Sequence, residues 1–291
     1  MTALRWPRAA LPLLAICLLG PAPVRPATAT TEVVDRAGLP VLTSVKARHV
    51  GNVDRVVFRF TGGVPTTVFK EWRDTLAHDG SGLPVRVAGT KILVISMNGA
   101  VAHDANGSTV AGRTGFALPN VITAVAAGDF EGSVLYGIGV QKQTSFHVSV
   151  QAHRVVVEVG AAFPTTLEKV FFVDSNANLA SVTRRVPTSG PATAVLHSLF
   201  AGPTPAEKAN GFRLVRSRAT GFTRLSITDG IARVRLTGGC RSGGSTTTVA
   251  SEIVPSLKQF PTVKWVKVYD SHGRTETPNG PSDSIPACLE P

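Results

Sequence analysis

Between residues 44 and 160 no ten-residue stretch combines a strong helical period with caps. Short runs alternate apolar and polar residues instead, and Gly, Asp and Asn punctuate them. In Asp54-Arg55-Val56-Val57-Phe58-Arg59-Phe60, Val56, Phe58 and Phe60 fall on one face and Arg55 and Arg59 on the other. That is the period of a strand with one face buried. Comparable runs are Ser44–Val50, Thr66–Glu71, Leu83–Ala88, Lys91–Met97, Val121–Ala126, Val134–Gln141, Thr144–Gln151 and Arg154–Val159. Many short strands between turn residues predict an all-β sandwich over residues 44–162.

The pattern changes after Ala161-Ala162-Phe163-Pro164-Thr165-Thr166-Leu167, so residues 163–167 read as a linker. Glu168–Asp174 reads as a strand. Pro191 behind Gly190 opens a helix that Gly202-Pro203 ends, with Ala192, Val195, Leu196 and Leu199 on one face. Asp229-Gly230 joins Phe222–Thr228 to Ile231–Thr237 as a hairpin. A second helix is predicted over Thr246–Phe260, where Pro255 must kink it or start a new one. Val263–Asp270 is a last strand. The expectation for residues 168–291 is an α+β domain with a Pro-rich tail.

The chain begins as an exported protein would. Arg5 and Arg8 precede the apolar run Ala9–Gly20, and Ala27-Thr28-Ala29 offers a cleavage pattern. A signal peptide over 1–29 and a linker over 30–43 are therefore expected. Lipidation at Cys17 is disfavoured by the bulky Ile16 before it. Beyond residue 29 there are 27 Lys and Arg against 19 Asp and Glu, a net +8. Outside the cytoplasm such a surface meets wall polymers, anionic lipid head groups and acidic partners. Aromatics are 6% of the chain, which supplies few stacking platforms, and no nucleic-acid partner is expected.

Candidate chemistry is sparse. The sequence has no G-x-S-x-G, Walker loop or H-E-x-x-H, so no catalytic, cofactor-binding or metal residues are assigned. Asp129 and Glu131 could pair as a glycosidase would, or serve a turn. Cys240 and Cys288 are the cysteines beyond the signal segment. A disulfide between them would close a loop worth on the order of 4 kcal/mol; a reactive thiol beside Arg241 is the alternative. Arg213, Arg216, Arg218, Arg224, Arg233, Arg235 and Arg241 fall within 29 residues against one acid, Asp229. Arg216 with Arg218, and Arg233 with Arg235, are expected to share strand faces. Such faces are either solvated or a patch for phosphate or carboxylate groups.

Residues 44–160 resemble the AMIN-like domain of exported bacterial proteins. The resemblance rests on Asp54-Arg55-Val56-Val57-Phe58, Gly128-Asp129-Phe130-Glu131-Gly132, Tyr136-Gly137-Ile138-Gly139-Val140 and Arg154-Val155-Val156-Val157-Glu158-Val159. Residues 168–291 resemble the GerMN domain of germination and envelope lipoproteins. Its carriers are Val170-Phe171-Phe172-Val173-Asp174, Val182-Thr183-Arg184, Leu199-Phe200-Ala201-Gly202-Pro203-Thr204, Asp229-Gly230-Ile231-Ala232 and Gln259-Phe260-Pro261-Thr262-Val263. The resemblance implies a β-sandwich joined to an α/β module akin to ring-building folds. It also implies a non-catalytic envelope role, as a binding or scaffold protein on peptidoglycan, wall polymer or an envelope complex. A wall hydrolase with an unrecognised site is the alternative.

Overall fold

The computed structural model describes residues 38–291; the expected signal peptide and Cys17 lie outside them. The first sheet has the order β1-β2-β13-β12, from β1 (Val41–Val50), β2 (Val53–Thr61), β12 (Phe146–Gln151) and β13 (Arg154–Gly160), all antiparallel. The second has the order β3-β6-β11-β10-β9. Its strands are β3 (Thr67–Arg73), β6 (Lys91–Asn98), β9 (Arg113–Gly115), β10 (Val121–Phe130) and β11 (Ser133–Val140). Between the sheets lie Val56, Phe58, Phe60, Val155, Val157 and Val159 against Leu93, Ile95, Met97, Val134, Tyr136 and Ile138. The alternation in β2 and β13 thus buries one face of each strand, as its period requires.

β6 is apolar on both sides, and both are buried. Ile92 and Val94 face away from the sandwich core and join Leu76, Val85, Val125 and Ala127. The chain between β3 and β6 lies over this face. It forms only a two-residue ribbon, β4 (Leu76–Ala77) with β5 (Pro84–Val85). The strand expected over Leu83–Ala88 shrinks to Pro84–Val85, because Val85 and Val87 plug the sheet from above instead of joining it. Gly139 permits the close approach: a Cβ there would sit 1.9 Å from Ala88 O. A second small ribbon pairs β7 (His103–Asp104) with β8 (Gly107–Ser108).

The C-terminal part holds the hairpin β14 (Thr165–Val173) with β15 (Leu179–Pro187), and the sheet β16 (Ala219–Thr228), β17 (Ile231–Gly238) and β18 (Trp265–Tyr269). β16 and β17 are antiparallel; β18 runs parallel to β17. Helices α1 (Pro191–Ala201) and α3 (Val249–Lys258) cover the inner faces, with Val195, Leu196, Leu199, Ile253 and Leu257 packed on Val170, Phe172, Val234 and Val268. A short helix α2 (Pro205–Ala209) starts at a Thr204/Glu207 capping box.

Some boundaries move. β1 starts at Val41 and β14 at Thr165, inside the segments read as linkers, because Leu42 is buried in the sandwich and Thr165 pairs with Pro187. The second helix is shorter than expected and runs through Pro255 unbroken; the Ser256 hydroxyl donates to Glu252 O one turn back, at 2.7 Å.

The two lobes meet at α1. Gln141, at the end of β11, donates from Nε2 to Ala194 O and Ser198 Oγ, both at 3.0 Å. The Gly89 N–H donates to His197 Nδ1 at 3.2 Å. Gly115 faces the carbonyls of Ala201, Gly202 and Pro203.

Candidate functional site

The outer face of the β1-β2-β13-β12 sheet carries the residues that alternate with its core. Cross-strand register sorts them into three rows. Ser44, Arg59, Arg154 and Gln151 form the first; Lys46, Val57, Val156 and Ser149 the second; Arg48, Arg55, Glu158 and His147 the third. They line a trough of about 860 Å³. Five cations, Lys46, Arg48, Arg55, Arg59 and Arg154, face one carboxylate there. Arg55 is committed to that carboxylate, donating from Nε and Nη2 to Glu158 Oε1 at 2.9 and 2.6 Å. Arg154 Nε donates to Gln151 Oε1 at 2.7 Å, a bond that orients the guanidinium without neutralising it. Val57 and Val156 make an apolar strip down the middle.

Arg48 stands directly opposite Arg55, and Arg59 directly opposite Arg154. Like charges opposed across strands destabilise a sheet. Glu158 relieves the first pair. No salt bridge among the described residues relieves the second. Such a face suits an anion, since Arg forks grip phosphate or carboxylate oxygens two at a time. Sequence reasoning placed Arg55 and Arg59 on the outward face of β2. It did not join them to Lys46, Arg48 and Arg154, because the joining lies in long-range strand pairing.

The arginines singled out in the C-terminal part divide. Arg233 and Arg235 do share the outward face of β17, with Arg224 opposite Arg235 and Lys267 beside Arg233. Arg235 Nη2 donates to Ser271 O at 2.7 Å. Lys267 is fully buried, its Nζ donating to Thr277 O and Asn279 O of the tail at 2.5 and 3.2 Å. Arg216 and Arg218, in contrast, share no strand face. Arg216 precedes β16 and donates from Nη2 to Phe200 O at 3.3 Å. Arg218 sits in a turn, with Ser217 and Arg218 both at positive φ. The Ser217 hydroxyl there accepts from the first N–H of α3, at 3.1 Å. The patch of four is therefore a patch on β17 plus two separate residues.

Several ionisable groups are structural. Asp54 is fully buried and accepts from the N–H groups of Asn120 and Val121 at 2.7 and 2.8 Å, with His49 Nδ1 at 2.7 Å. Asp129 accepts from the Ala102 N–H at 2.9 Å and meets His103 Nδ1 at 2.6 Å. Glu131 occupies a turn at φ 49°, so the two carboxylates do not share a strand face. Beneath Asp129, burial and then the Asp129 charge push the Tyr136 hydroxyl up to about 12. Burial pushes the Glu252 carboxyl up to about 8, against donation by the Val215 N–H and the pull of Arg213 and Arg216. Burial brings His197 down to about 4. Among the described residues no group of three or more His, Cys, Asp or Glu is arranged to hold a metal. Cys240 and Cys288 form a disulfide, with Cα atoms 5.6 Å apart.

Residues 40–161 match the family model of the AMIN-like domain. Residues 169–272 match that of the Germane domain, described as sporulation and spore germination. Among solved structures, the first GerMN domain of the sporulation protein GerM from Bacillus subtilis is 21% identical, with 41% of this chain and 93% of that chain covered and a TM-score of 0.32. The tandem GerMN domains of the same protein are 23% identical, with 44% and 48% covered and a TM-score of 0.30. No curated protein matches the chain significantly.

Proposed function

We propose, from the premise that this chain is an AMIN-like domain followed by a Germane domain, that it is a non-catalytic protein of the cell envelope. Its AMIN-like domain docks on the wall through the outer face of β1-β2-β13-β12. Its Germane domain is held out to a partner in an envelope or sporulation complex, with the Arg224, Arg233 and Arg235 face available to an acidic surface. The observation that carries the reading is the trough: four cations with no carboxylate partner among the described residues, lined up on one sheet face. Rigid strands hold charges in register better than loops do, which favours a repetitive ligand. Export follows from the leader expected over residues 1–29. No helix among the described residues is long and apolar enough to cross a membrane.

Co-sedimentation with purified cell-wall sacculi tests the docking. The protein should pellet with sacculi, and Lys46→Gln/Arg48→Gln/Arg59→Gln should leave it in the supernatant. Surface changes of this kind cost about 0.5 kcal/mol or less each, so the melting temperature should hold. Pelleting that survives all three changes defeats the proposed face. Release of soluble glycan fragments during incubation would favour the hydrolase reading instead.

A further inference from the structure

The geometry points to a linear phosphodiester polymer as the ligand of the trough, running along the strands with a phosphate over each cationic row. This inference rests on the docking reading and names its ligand class. Three features carry it. The rows repeat every second residue, a spacing of about 6.7 Å along a strand. That spacing matches successive phosphates linked through a short polyol. A single sugar phosphate would engage one row and leave the others idle. Cations without a carboxylate partner among the described residues occur in every row: Arg59 with Arg154, then Lys46, then Arg48.

The second feature is the opposed pair Arg59 and Arg154. Two guanidiniums facing each other across adjacent strands are relieved by one tetrahedral anion, which has oxygens for both forks. The third is the apolar centre of the middle row, Val57 beside the buried Val156, which takes the carbon links while Lys46 at the end of that row takes the phosphate. An acidic peptide could space its carboxylates similarly. It would seek backbone hydrogen bonds at a sheet edge, however, and β2 and β13 are interior strands paired on both sides. A peptide pairing along the β1 or β12 edge would lie beside the trough, whereas a ligand lying across the face over β2 and β13 binds through side chains alone, as a polymer with anions in its own backbone does.

The test titrates the purified protein with glycerol-phosphate oligomers of one, two, three and six units. Inorganic phosphate, polyglutamate and peptidoglycan stripped of anionic polymer run in parallel. Affinity should rise more than tenfold from one unit to three and then level off. Log affinity should fall with log salt at a slope of roughly −2, as three neutralised single-strand phosphates give. Arg59→Gln/Arg154→Gln and Lys46→Gln/Arg48→Gln should each lose at least tenfold, while Lys70→Gln/Lys264→Gln should match wild type. Equal affinity for inorganic phosphate and the trimer overturns the inference. So does polyglutamate binding as tightly as the six-unit oligomer, or binding that survives both double changes. If stripped peptidoglycan binds through the same residues and the oligomers do not, the docking face stands and the phosphodiester ligand falls. If nothing binds, the docking reading falls with it.

Discussion

The half-buried His197 and the buried Glu252 are two groups whose protons oppose each other in the stability of the fold. His197 accepts from the Gly89 N–H and therefore must be neutral at Nδ1. Its folded value near 4 lies below the ordinary histidine value of 6.5. Between those pH values the unfolded chain binds the proton and the folded chain does not, so stability falls as pH drops from 6.5 to 4. Discounted for its partial exposure, the loss is about 2 kcal/mol. Asn at 197 can keep an acceptor near the same place without titrating. Urea midpoints at pH 7 and 4.5 should therefore differ less in His197→Asn than in wild type; an unchanged difference would show that His197 does not titrate with folding. Glu252 has the opposite sign. Its folded value near 8 lies above the ordinary 4.5, so its contribution is intact below pH 4.5 and lost as pH rises through 8. Glu252→Gln mimics the protonated acid and should gain on wild type as pH goes from 6 to 9, in the same urea assay.

The tail is held by three devices. Ser284 bridges β18 through Val266 and Val268, the buried Lys267 ammonium takes two tail carbonyls, and the disulfide ties the tail to the chain just past β17. The Cys240–Cys288 separation of 48 residues gives about 4 kcal/mol by loop closure. Reduction should lower the melting temperature by about 10 °C in a domain of this size, read by calorimetry with and without reductant. A drop of under 2 °C would mean that the bond constrains little in the unfolded chain. These elements were unequally legible in the sequence. The alternation of Asp54–Phe60 and the Asp229-Gly230 turn foretold their strands because local sterics and one-sided burial decide them. β15 carries no such signal, since its inward row Ala180, Val182, Arg184, Val186 contains an arginine. Arg184 is only 3% exposed and is paired with Glu207 through two bonds of 2.7 and 2.6 Å. That partner belongs to α2, which the sequence also leaves hidden. Its signal, Thr204-Pro205-Ala206-Glu207, was present but followed a Gly-Pro read as a stop. The basic trough was half legible: each strand showed its charged face, and only the pairing of β1, β2 and β13 assembled one surface.

The disposition of the two basic faces depends on whether the lobes act as one body. The contacts at α1 say that they do: Gln141 Nε2 and His197 Nδ1 both find their partners across the joint, and desolvation there, with Arg216 nearby, lowers Arg113 to about 10. A rigid joint fixes the angle between the trough and the β17 face, as the proposed docking through both faces needs. Gly115 is the place to break it. A Cβ added there would lie 2.8 Å from Gly202 O, 3.0 Å from Pro203 O and 3.1 Å from Ala201 O, all backbone. Gly115→Val must push α1 away, whereas Gly112→Ala meets nothing within 4 Å. Overpacking of this kind costs about 1–3 kcal/mol, and the joint can yield without unfolding either core. The expected outcome for Gly115→Val is cleavage between residues 161 and 166 accelerated about fivefold to a hundredfold under limited proteolysis, where opening is an equilibrium. Its radius of gyration should rise in solution scattering, and Gly112→Ala should behave as wild type. Wall binding should persist, because the trough lies on the other sheet of the sandwich from Gly115. If Gly115→Val is cut no faster than wild type, the lobes are hinged already, and the fixed angle cannot be part of what this protein does.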